Sequence, residues 1–203
     1  CIGGLDYASL KDFAAVGLLF RSGDDYIWKT HSFARKEFLD KYKLKPPIHE
    51  WEKKGLLTIV DEPTINPKHI IDWFIEAQKN YGLQKVVADN FRMDLLRPLF
   101  EDAGIEYEVI KNTRAIQSLL APRVEDMFAQ HHLIFGDNPL MRWYTQNVAV
   151  KVRKDGNKEY EKKEPIRRKT DGFQALIHAL YRADDLKDSN LEEEINLLRG
   201  LRF

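Results

Sequence analysis

The sequence predicts an α/β fold in which a mixed sheet is flanked by helices. Three observations carry this. The chain opens on three strand-like runs in succession, it then alternates strand and helix patterns, and a Gly-centred hairpin interrupts the alternation near the end. With 203 residues, 43% of them hydrophobic, it is long enough to bury one substantial core. Formal net charge is zero, so affinity for a polyanion must come from local patches. Cys1 is the one cysteine, which excludes an internal disulfide and a Cys-based zinc site and is compatible with a reducing compartment. No apolar run approaches the roughly 20 residues of a membrane span, and no signal peptide is visible. No membrane partner is expected.

The elements follow in order. "CIGGLDYA", "FAAVGLLFRS" and "DYIWKTHSF" are apolar or alternating runs, separated by "SLKD" and the Gly/Asp turn "SGDD". A helical pattern runs from Arg35 to Lys43 until Pro46 and Pro47 break it. "IHEWEKKG" is a second short helix stopped by Gly55. "LLTIV" is a buried-type strand. Asn66 before Pro67 marks an N-cap and first-turn proline, and Ile70, Ile71, Phe74 and Ala77 form a stripe ending at Gly82. "QKVVAD", "FRMDLLRPLFEDAG" and "IEYEVI" read as strand, helix and strand. A helix over about 114–130 and the short strand "HLIF" come next. "LMRWYTQN" is a helical turn after the loop "GDNP". Asp155-Gly156 then signals a hairpin within "VAVKVRKDGNKEYEKKE". A further helix runs from Asp171 to about Ala183. Residues 1–183 therefore read as one domain, and residues 184–203 as an acidic tail or peripheral helix.

Three acids occupy informative places. Asp6 ends the first run, Asp89 closes the Val-rich strand "KVVAD", and Asp171 begins the last helix. Singly, each also reads as a turn or helix cap. Jointly, two strand-end acids and one helix-start acid can converge on a hard divalent cation such as Mg²⁺ or Mn²⁺. Their order, after a three-stranded opening, is the layout of RNase H-like nucleases. Asp12, just after the "SLK" turn, is either an accessory acid or a solvated turn residue. Glu125 and Asp126 read as solvent charges.

Phosphodiester cleavage builds negative charge on the attacking, leaving and non-bridging oxygens. Two cations about 3.5–4 Å apart stabilise both ends of an in-line displacement. In that scheme Asp6 would bridge the pair, with Asp89 and Asp171 each holding one side. Without metal the clustered carboxylates would repel one another, raising their pKa values. Basic residues gather at Lys151, Arg153, Lys154 and Lys158, then at Lys162, Lys163, Arg167, Arg168 and Lys169, a second set that leads into Asp171 and should rim the site. Lys151, Arg153, Lys163, Arg167, Arg168 and Lys169 are the candidate DNA contacts, although Glu159, Glu161 and Glu164 interleave with them. Trp143 and Tyr144 read either as core or as a stacking platform.

Across nearly its whole length, from "GGLDYASLKDFAAVGLLF" to "KTDGFQALIHALYRA", the chain resembles the C-terminal nuclease domain of the large terminase subunit of tailed bacteriophages. "VVADNFR", "GDNPLMRWYTQNVAVKVRKDGN" and the basic lead into "TDGFQAL" carry the likeness, and "DNPLMRWYTQNV" is the most specific part. The resemblance implies an RNase H-like, Mg²⁺- or Mn²⁺-dependent endonuclease that cuts concatemeric viral double-stranded DNA. Asp6, Asp89 and Asp171 would be its catalytic, metal-binding acids, using two ions, with Asp12 as an accessory metal acid. It also implies an N-terminal packaging ATPase domain in the same polypeptide, portal and small-subunit partners, and work in the host cytoplasm. No G-x-x-x-x-G-K-[ST] loop occurs here, so ATP hydrolysis is not expected of this chain; with its abrupt start, it reads as the nuclease half. Two further readings stay open: another RNase H-like nuclease such as a resolvase or transposase core, and a non-catalytic module that docks DNA or portal.

Overall fold

The computed structural model describes residues 1–187. Strand β1 (Ile2–Asp6) lies at the centre of the sheet, antiparallel to β2 (Ala14–Ser22) and parallel to β5 (Lys85–Asp89). Beyond β2 comes β3 (Asp25–Arg35), an 11-residue strand long enough to take two partners on its outer edge. Strand β4 (Leu57–Val60) pairs with its C-terminal part and β7 (Leu133–Ile134) with Tyr26 and Ile27. Strand β6 (Tyr107–Ile110) closes the other edge, giving the order β4-β3-β2-β1-β5-β6. The three opening strands form the expected antiparallel meander. The later ones join in parallel because each arrives through a helical crossover.

Helices cover both faces. Helices α3 (Pro67–Tyr81) and α4 (Met93–Asp102) pack Ile70, Phe74, Leu96 and Phe100 against Leu5, Val86 and Ala88. The opposite face carries α1 (Lys36–Tyr42), α2 (Ile48–Lys53), α5 (Thr113–Ala129), α6 (Pro139–Gln146) and α7 (Asp171–Leu180). Local chemistry sets the boundaries. Asn66 caps α3, its side chain accepting from the Lys68 amide at 3.0 Å, with Pro67 in the first turn, and Gly82 ends the helix at φ 60°. Asn138 caps α6 in the same way, accepting from the Met141 amide at 2.9 Å.

Helix α7 is buried along nearly its whole length, and it lies directly on β1. Gly4 allows this: a Cβ there would stand 2.0 Å from the Ala175 carbonyl oxygen and 3.0 Å from the Ala179 Cβ. Without a side chain at Gly4, the helix rests on strand backbone. The hairpin β8 (Val148–Val152) and β9 (Lys158–Lys162) forms a separate two-stranded sheet beside the main one. Ala183, which opens a 3-10 turn (Ala183–Asp185), and Leu186, which follows it, are buried in the same core as α7. From residue 188 onward, the expected acidic tail lies outside the described residues. Among the described residues no helix is long and apolar enough to cross a membrane.

Candidate active site

Strand periodicity brings the first two acids together. Ile2 and Val87 belong to the core under α7, and Gly4 meets α7 directly. Side chains alternate along a strand, so Asp6 and Asp89 emerge on that same face at adjacent strand ends. Asp171 begins α7, which crosses above them. All three, with Asp12 and Lys162, line one cavity of about 640 Å³ whose other walls include Tyr7, Ser9, Phe91 and Arg92.

Burial and mutual repulsion show in the protonation of these groups. Burial pushes the Asp6 carboxyl well above the usual carboxylate range, reinforced by Asp171 and Asp89 and opposed by Lys162. Asp171 is 2% exposed. Burial lifts its pKa to about 6, against the pull of Lys162. One carboxylate oxygen of Asp171, Oδ2, is buried without a hydrogen-bond partner. Asp89 is held differently, its Oδ1 accepting from the Phe91 amide at 3.0 Å. Three residues after Asp89, Arg92 takes φ 53°, a left-handed conformation that costs a non-glycine residue about 1 kcal/mol.

Two lysines enter this acidic space. Lys162, the last residue of β9, places Nζ 2.7 Å from Asp12 Oδ1 and 3.8 Å from Asp171 Oδ1. Lys169 donates from Nζ to the same Asp12 oxygen at 2.6 Å and to the Lys11 carbonyl at 2.9 Å, and it lies 4.4 Å from the centre of the Phe38 ring. Asp12 is therefore a neighbour of the three acids, with Oδ1 already shared by two ammonium groups.

Lys169 corrects an expectation. Placed by sequence on the DNA-facing rim, it is 1% exposed and points inward, because its charge is compensated by Asp12 and the Phe38 face. Lys163, Arg167 and Arg168 are exposed, as the basic lead into α7 suggests. Lys151 and Arg153 are exposed too, but they pair within the hairpin, with Glu161 at 2.8 Å and Glu159 at 3.1 Å. Tyr144 is a core residue, and the half-buried Trp143 packs against that core. Trp143 packs against Phe13 and Trp51, and the buried Tyr144 hydroxyl hydrogen-bonds Ser32 at 2.8 Å.

The segment "DNPLMRWYTQNV" builds the support for Asp171. Tyr144 fills the space beside Gly172, where a Cβ would come within 2.4 Å of its ring. Asn147 is buried and donates from Nδ2 to the Lys169 carbonyl at 2.8 Å, while its own carbonyl accepts from the Lys163 amide at 3.0 Å. It thereby fixes both ends of the loop between β9 and α7. Sequence reasoning missed Asn147 and also His178, whose Nδ1 bonds the Leu5 carbonyl one residue before Asp6. Their partners are too distant in the chain to leave a local pattern.

The donor set is chemically suited to Mg²⁺ or Mn²⁺: hard carboxylate oxygens, one of them buried and unpartnered, at a cavity wall. Among the described residues, no three acid or imidazole groups stand close enough to hold an ion without moving.

Residues 1–186 match the family described as "Terminase large subunit, endonuclease domain". The large terminase of bacteriophage HK97 superposes with a TM-score of 0.79 at 17% identity, over 89% of this chain and 39% of that one. The large terminase nuclease of the thermophilic phage G20c gives 0.61 at 12% identity, over 92% of this chain and 82% of that one. The same nuclease with bound magnesium gives 0.60 at 12% identity, over 90% and 80%. At these identities the likeness establishes a shared RNase H-like fold. No curated protein matches the chain.

Proposed function

This chain belongs to the family of terminase large subunit endonuclease domains, and from that membership we propose a divalent-metal-dependent endodeoxyribonuclease that cuts concatemeric double-stranded DNA during viral genome packaging. One observation carries the chemistry: Asp6, Asp89 and Asp171 line one cavity, with Asp6 electrostatically coupled to both others.

Asp6 is proposed to hold the shared central position, a reading supported by the action of both Asp171 and Asp89 on its charge. Asp89 and Asp171 would each hold one side, and Asp12 would act through the lysines it binds. A pair of Mg²⁺ or Mn²⁺ ions, when bound, would neutralise charge on the phosphate oxygens and lower the pKa of water. The chain's own groups supply the rest. Buried walls exclude bulk water around Asp171, which strengthens each charge interaction there. Lys163, Arg167 and Arg168 offer exposed cations to the DNA backbone beside the cavity, and Lys151 and Arg153 can join them by leaving their hairpin partners. No group-specific contact to bases is proposed.

Residues 1–183 are proposed as the body of the nuclease unit, with 184–203 as a tail or peripheral helix. The chain spans 39% of the HK97 large terminase, which supports an N-terminal packaging ATPase domain in the same polypeptide. Portal and small-subunit partners, and action in the host cytoplasm, are proposed on family membership alone.

Cleavage of supercoiled plasmid tests the reading. The wild-type chain should nick it with Mn²⁺ or Mg²⁺ and not with chelator, and Asp6→Ala, Asp89→Asn and Asp171→Asn should each remove the activity. Wild-type protein that never nicks, or an Asp6→Ala protein that cuts like wild type, overturns it.

A further inference from the structure

The acid cavity already contains a cation of the protein's own. Four carboxylates, Asp6, Asp12, Asp89 and Asp171, face two ammonium groups, those of Lys162 and Lys169. The two lysines differ in character. Lys169 is buried and fastened by a backbone carbonyl, Asp12 and the Phe38 ring, so it is part of the framework. Lys162 is 27% exposed on the last residue of a peripheral hairpin, reaching inward on a flexible four-carbon stem. Its ammonium sits between Asp12 and Asp171, and among the described residues no backbone carbonyl holds it as one holds Lys169.

We propose that Lys162 is a resident counter-ion of the acid cluster, and that its ammonium leaves Asp171 when a divalent cation binds. This inference rests on the metal-binding reading above and deepens it. The physical reason is competition for one place. Asp171 is buried with one oxygen unpartnered, so the Lys162 charge is its nearest compensation in the metal-free protein. A divalent ion held by Asp171 would lie within a few ångströms of that ammonium, and the two positive charges would repel strongly in so enclosed a space. Lysine suits the role. Its stem can swing the charge outward without moving the backbone, which is pinned next door by the Lys163 amide on the Asn147 carbonyl. Lys162 therefore sets the metal affinity of the cluster while making no bond to the metal. It is a positioning residue.

The test measures metal binding without DNA. Mg²⁺ is titrated calorimetrically into wild type, Lys162→Met and Lys162→Arg, and each protein is also melted without metal. Lys162→Met keeps the length of the stem and removes the charge. It should bind Mg²⁺ about tenfold more tightly than wild type, and its metal-free form should melt lower because Asp171 has lost its compensation. Lys162→Arg, which keeps the charge, should bind no more tightly than wild type. A Lys162→Met protein that binds Mg²⁺ with wild-type or weaker affinity overturns the counter-ion role and leaves the metal site standing. Absence of binding heat from all three proteins removes both the metal site and the counter-ion.

Discussion

His178 donates from Nδ1 to the carbonyl oxygen of Leu5 at 2.6 Å, joining α7 to β1 one residue before Asp6. A carbonyl can only accept, so Nδ1 carries the proton. Burial keeps the imidazole pKa below its ordinary value, and Nε2 has no partner. The helix that starts with Asp171 is thus tied to the strand that ends with Asp6. Replacing His178 by Ala should cost about 2–4 kcal/mol, from a lost hydrogen bond and a new cavity. Urea denaturation would measure it.

Asp6→Asn should separate stability from function. The native carboxyl is disfavoured as an anion by burial and by its acidic neighbours. A neutral amide there should raise the melting temperature of the metal-free protein by a few degrees. The same change should abolish nicking and any thermal stabilisation by Mg²⁺. A variant that melts below wild type in chelator would contradict this account of the cluster.

The pH dependence of stability has a definite sign. Asp171 titrates at about 6 in the folded chain, above its unfolded value. Between roughly pH 4 and 6 the folded state thus binds more protons at this group, and its contribution falls as pH rises. His178 works the other way, since its folded pKa is depressed and the unfolded chain takes up the extra proton as pH falls through about 6.5. Asp171→Asn removes the first contribution and leaves the second. In chelator, its stability should therefore rise more steeply with pH than that of wild type between pH 4 and 6. Parallel curves from denaturant titrations would sink this assignment.

Gly4→Ala tests the seating of the helix. The added methyl would strike the Ala175 carbonyl oxygen, which is backbone and cannot swing aside. Lifting α7 should cost about 1–3 kcal/mol, and it should slow cleavage out of proportion by drawing Asp171 away from Asp6. Nicking rates at a temperature where the variant remains folded would show it.

Much of this was legible in the sequence. Asn66-Pro67 and Gly82 marked α3, Asp155-Gly156 marked the hairpin, and strand ends marked Asp6 and Asp89, because each signal is local. Partners on the far side of the fold were not legible. Lys169 belongs to a basic run that reads as solvent-facing, yet Phe38 and Asp12 draw it inside. The Trp143-Tyr144 pair could be core or platform until Ser32, Phe13 and Trp51 supplied its surroundings. Lys162 belongs to the basic set that the sequence puts at the rim of the site, and only tertiary placement sets its ammonium between Asp12 and Asp171.

The ties between α7 and β1 also bear on synthesis. Leu5 and His178 stand 173 positions apart, and Asp12 and Lys169 stand 157 apart. Contacts of such span close late, since the intervening polypeptide must exist before they can form. On the ribosome, the growing product would lack Asp171 beside Asp6 and Asp89 until α7 emerged and docked. On the proposed assignment of the three acids, immature copies would therefore not cut nearby DNA.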